Sequence, residues 1–155
     1  RISYHYFKFR HFSLYIIYMD KKLRKQPKDK ATGLPKKYVP KGLTKADKAK
    51  QVRSIKEGKD RPKLKSAPDS KRSKHVVAFE KKYGKKITDD SFISKNLLKR
   101  EGIRQILSKG RGAYYSAGSR PNTSSAAWAR ARLASALLGR NAAKVDRDIL
   151  TKYKL

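Results

Sequence analysis

The sequence has no cysteine, one methionine, one tryptophan, and only 12 acidic residues against 42 lysines and arginines. The lack of cysteine excludes disulfides and thiolate-bound metals. The three histidines, His5, His11 and His75, are scattered, and none stands beside a carboxylate pair at metal-ligand spacing. Neither a metal nor any other cofactor is expected. Long apolar runs are also missing: the longest, Leu14 to Met19, falls far short of the ~20 residues a membrane-spanning helix needs. No membrane partner is expected. There is no G-x-x-x-x-G-K-[ST] phosphate loop and no dinucleotide fingerprint. The few acids do not form a catalytic pair. Asp146 and Asp148 are close in sequence, but residues two apart diverge on a helix, and surface pairing with Lys144 or Arg147 is the expected role. Ser116 and Ser119 have no neighbouring histidine with which to build a nucleophilic triad. These absences describe a non-enzymatic protein with no small-molecule substrate.

What is abundant is positive charge, a formal +30 over 155 residues. Such an excess repels itself in a compact fold, and a polyanionic partner relieves that repulsion. Nucleic acid is the expected partner, because each neutralised phosphate releases condensed counterions. Acidic protein surfaces and anionic lipid headgroups compete for the same role.

The charge is unevenly arranged. Residues 1–18 form an aromatic leader containing Tyr4, Tyr6, Phe7, Phe9, Phe12, Tyr15 and Tyr18. It lacks a small-residue cleavage site and is read as upstream read-through before Met19. Residues 19–74 are Lys-rich and hold five of the six prolines, which favours an extended basic arm. One short helix is predicted in it, Lys45 to Glu57, with a Thr44-x-x-Asp47 capping box, a thin apolar stripe and a left-handed stop at Gly58. From His75 to Leu155 apolar residues recur at helical spacing, so the fold class is all-α: a small helical domain in the C-terminal half, carrying the basic arm. Its predicted helices start at His75, after Asp89, and at Ala126, with Gly102 as an interruption. Ala127, Ala131, Ala134 and Leu138 form a stripe on the third, flanked by Trp128, Leu133 and Leu137 and stopped by Gly139, and Asn141 caps a single last helix.

The most distinctive segment is Lys109-Gly-Arg-Gly-Ala-Tyr-Tyr-Ser-Ala-Gly-Ser-Arg-Pro-Asn122, expected to be a loop over 109–122 between two helices. Glycines let backbone amides approach an anion, and Arg111 and Arg120 have the fork geometry for phosphate oxygens. Tyr114 and Tyr115 offer flat faces to bases or sugars. Ser124 stands at a helix N-terminus, and Lys109, Arg130 and Arg132 add charge nearby. These eight residues are the expected nucleic-acid or anion-binding set; the alternative is that Gly110 is a helix stop, Gly118 a turn and the tyrosines a plug over the core.

Three stretches carry a resemblance: Leu34-Pro-Lys-Lys-Tyr-Val-Pro-Lys-Gly-Leu-Thr-Lys-Ala-Asp47, the Lys109–Asn122 segment, and Trp128-Ala-Arg-Ala-Arg-Leu-Ala-Ser135. Over about Leu34 to Leu150 the chain resembles an uncharacterised family of small basic proteins of large DNA viruses of algae and their relatives. The resemblance implies a viral setting and supplies no catalytic residue. With it, the expected function is that of a minor capsid or core component of the virion, contacting nucleic acid or acidic viral structural proteins. The alternative is an accessory nucleic-acid binder in the nucleus or cytoplasm of the infected cell.

Overall fold

The computed structural model describes residues 26–155; the aromatic leader and the first residues of the arm lie outside them. Seven α-helices occur among the described residues, and no strand. They are α1 (Lys45–Lys56), α2 (Lys74–Tyr83), α3 (Asp90–Asn96), α4 (Arg100–Ala113), α5 (Ser125–Leu137), α6 (Asn141–Val145) and α7 (Arg147–Tyr153). The all-α expectation holds.

Local signals set most boundaries. Side-chain oxygens of Thr44, Ser73, Asp89 and Ser124 accept from backbone N–H groups in the first turns of α1, α2, α3 and α5, satisfying donors that no helix can pair internally. Gly58, Gly84 and Gly139 take positive φ just beyond the ends of α1, α2 and α5, where a side chain is strained.

The core forms where α4 crosses α5. Ile103, Ile106 and Leu107 of α4 meet Ala129, Leu133 and Ala136 of α5, with Phe79, Ile93, Leu98 and Ile149 closing the sides. The expected stripe on α5 is displaced: Ala127 is exposed, and Ala129, Leu133 and Ala136 join Ala134 in the interior. Alanines occupy most sides of this helix, so its sequence periodicity is weak; its position against α2, α4 and α6 decides which face is buried.

Three further expectations change. The segment from 109 to 118 is not a loop. α4 runs unbroken through Gly102 and Gly110, and a π-helical turn, Tyr114–Gly118, carries it on. The glycines do not interrupt the helix but let other elements approach it. A Cβ on Gly102 would stand 2.7 Å from Cβ of Tyr153, and one on Gly110 would stand 2.7 Å from Cα of Ala129. Second, the last helix is two pieces, α6 and α7, separated at Asp146, and Arg140 rather than Asn141 occupies the cap position. Third, the capping box at α1 is half made. Thr44 accepts from the Asp47 N–H, but the Asp47 carboxylate does not reach back to Thr44. It accepts instead from the N–H (2.9 Å) and hydroxyl (2.7 Å) of Ser66, whose Oγ in turn accepts from the Thr44 N–H.

The arm lies along the helical body instead of trailing from it. Tyr38, Val39 and Leu64 are buried, and Gln51, fully buried on α1, donates to the carbonyls of Tyr38 (3.2 Å) and Ser119 (3.0 Å). Asn122 holds the arm from the other side. It takes positive φ, which asparagine tolerates, and bonds to both the N–H and the carbonyl of Leu64 and to the carbonyl of Ala67. A few buried anchors thus order a Lys-rich segment whose composition argues for freedom.

Candidate nucleic-acid interface

The eight residues expected to bind an anion separate into two groups. Arg130 and Arg132, two apart on α5, turn to carboxylates of their own chain. Arg130 bridges Asp90 at 2.5 and 3.1 Å and reaches the carbonyl of Ile87. Arg132 makes a two-pronged contact with Asp146, Nε to Oδ2 at 2.8 Å and Nη2 to Oδ1 at 2.7 Å, and its side chain is only 11% exposed. Asp146 is fully buried, so the expected surface pairing with Lys144 or Arg147 is replaced by an internal ion pair. Lys109 joins from α4, 3.7 Å from Asp146 and 3.7 Å from Asp148. Tyr114 is also withdrawn: it is 1% exposed, lies edge-on to Trp128, and offers no face to a base. Burial pushes its hydroxyl up to about 12. Ser124 spends its hydroxyl on the Ala127 N–H at the start of α5.

Arg111, Tyr115 and Arg120 remain outward. Arg111 and Tyr115 are four apart along α4 and its π-helical extension, and both are exposed. Arg120 is exposed, with its guanidinium carbon 5.8 Å from the Trp128 ring centre. Neither arginine has an ion pair among the described residues. Tyr115 is held by its hydroxyl, which donates to Asp60, and by the Arg61 guanidinium, 5.4 Å from its ring centre. The bond to Asp60 is also the first cause that raises the Tyr115 hydroxyl above its ordinary range.

Arg61 and Ser119 organise this region, and no local sequence pattern marks them for it. Arg61 donates to the carbonyl of Ser54 (2.8 Å) and to the hydroxyl of Ser119 (3.0 Å), and Ser119 is fully buried beneath the π-helical turn. Gly118 is required there, because a Cβ would stand 2.8 Å from the Trp128 ring. Arg61 and Ser119 are 58 residues apart, beyond the reach of capping or periodicity. Several buried polar atoms around this junction have no hydrogen-bond partner among the described residues: the hydroxyls of Tyr38 and Tyr114, Oε1 of Gln51 and Nε of Arg61. Internal water is the usual companion of such groups.

Among the described residues no group of three or more histidines and acids is placed to hold a metal, and no helix is long and apolar enough to cross a membrane. Arg111, Tyr115 and Arg120 are each exposed, and two guanidinium groups and one aromatic ring have the chemistry of contact with an anion. No curated protein and no solved structure matches the chain. A model described as a family of unknown function (DUF5824) matches residues 35–149, most of the chain, and the protein belongs to that family.

Proposed function

We propose that this protein is a non-enzymatic polyanion-binding component whose exposed cations are neutralised by the phosphate backbone of nucleic acid. The observation that carries the reading is the shortage of internal counter-charge. Twelve acids face 42 lysines and arginines, and the acids at positions 29, 57, 80, 90, 101, 146 and 148 are already in ion pairs within the chain. Arg111 and Arg120 are left facing solvent, with no ion pair among the described residues. Phosphate contacts of this kind position a nucleic acid without reading its sequence. The likeness of the Gly110–Ser116 and Ser119–Asn122 elements to small basic proteins of large DNA viruses supports a place in the virion, among packaged DNA and capsid proteins.

A salt titration with a duplex oligonucleotide tests the reading. Log affinity falls linearly with log salt, by about 0.9 for each phosphate neutralised. Arg111→Ala with Arg120→Ala lowers that slope and weakens binding alike on unrelated sequences, whereas Arg130→Ala changes it less, because Arg130 is held by Asp90. A response independent of salt overturns the nucleic-acid reading. Absence of the protein from the proteome of purified particles overturns the virion placement.

A further inference from the structure

Helix α1 is built inside out. Its buried side chains are polar: Asp47, Gln51 and Ser54, at spacings of four and three, form the face turned to the body. The opposite face carries Lys45, Ala49, Val52 and Lys56, again at helical spacing. An amphipathic helix ordinarily buries its aliphatic stripe. Here Asp47 and Gln51 are drawn inward because Ser66, Tyr38 and Ser119 offer them hydrogen bonds, while Ala49 is left exposed and Val52 half-buried.

That outer face is one wall of an open groove of about 610 Å³. Ala31, Ala49 and Val52 make its aliphatic floor; Lys45, Lys48, Arg53 and Lys56 make its rim. Glu57, the one acid in the lining, is engaged by Lys59 at 2.8 Å, and Lys48 is engaged by Asp29 at 3.1 Å, so Lys45, Arg53 and Lys56 carry the charge of the rim. The geometry points to a docking site for an acidic amphipathic helix of another protein, with its apolar residues on the floor and its carboxylates against the rim. The groove shares no lining residue with the surface assigned to nucleic acid.

Charge complementarity selects that occupant. The lining has no aromatic ring on which a base can stack. A second copy of this chain brings a net charge of +30 to a cationic rim. The residues that precede the described part bring Lys21, Lys22, Arg24 and Lys25, of the same sign as the rim.

The test uses the full chain and synthetic peptides of glutamate and leucine. One peptide has its leucines on a single helical face, a second has the same composition with leucines dispersed, and binding is read by fluorescence anisotropy. The patterned peptide binds about tenfold more tightly, and the preference persists in added salt, which screens rim charge but not apolar contact. Ala49→Gln with Val52→Thr leaves the net charge unchanged and removes the preference, while thermal melting and affinity for duplex oligonucleotide stay as in the parent. Equal binding of the two peptides overturns the proposal, as does a preference that survives the double change. A parallel loss of oligonucleotide affinity also overturns it, by making the groove a nucleic-acid contact. Arg111 and Arg120 are intact throughout, so failure here leaves the nucleic-acid reading to its own titration.

Discussion

Replacing Asp146 by alanine tests whether the helical body is held by a buried ion pair. The carboxylate has no exposure, and its partner Arg132 is 11% exposed, so truncation leaves a guanidinium almost without water. Breaking such a pair from one side costs about 3–5 kcal/mol. For a chain of this size each kcal/mol lowers Tm by about 2–4 °C, so the expected fall is roughly 6–20 °C. Urea unfolding followed by circular dichroism measures it, as a lower midpoint with an unchanged slope. Two comparisons isolate the cause. Asp90→Ala breaks the pair with Arg130, but Asp90 is 50% exposed, and a loss below about 1 kcal/mol is expected. Asp146→Leu with Arg132→Met removes both charges and recovers most of the stability, since an apolar pair avoids the desolvation cost. A loss under about 1 kcal/mol for Asp146→Ala, or a double variant no better than the single, refutes the reasoning.

The two glycines of the Gly-Arg-Gly element respond in opposite directions. Gly112→Ala meets nothing within 4 Å and gains about 0.5–1 kcal/mol from helix propensity, whereas Gly110→Ala drives a Cβ to 2.7 Å from Ala129 and lowers Tm despite the same propensity gain. Gln51→Leu leaves the carbonyls of Tyr38 and Ser119 without their donor, and limited trypsin digestion shows faster cleavage at Lys36, Lys37 and Lys41. The Tyr114 hydroxyl titrates near 12 in the folded protein and near 10 when unfolded, so its contribution is complete below pH 10 and is lost as pH rises toward 12. Tyr114→Phe flattens that alkaline decline in a series of urea titrations.

The helical class and several boundaries are legible in the chain because their causes are local. A hydroxyl or carboxylate three residues ahead of an N–H at Thr44, Asp89 and Ser124, or a glycine just past a helix end, acts within one turn. The Lys109–Asn122 element is conspicuous for its residues, but its shape is not written in them. Its glycine at 110 is a contact point between helices, and its best-connected residue, Asn122, clamps the arm. Of the expected anion-binding set, Arg111, Tyr115 and Arg120 face outward, while Tyr114, Arg130 and Arg132 serve the protein's own interior and its carboxylates.

Composition alone determined that positive charge must outnumber its internal partners, and periodicity alone determined that the body is helical. Only tertiary structure decided which cations are consumed and which face of α1 looks outward. Arg130 finds Asp90 across 40 residues and Arg132 finds Asp146 across 14, while Gln51 finds Ser119 across 68. Helix propensity and capping are written in neighbouring residues, but a hydrogen-bond partner that far along the chain exists only once the helices have packed and brought the segments together.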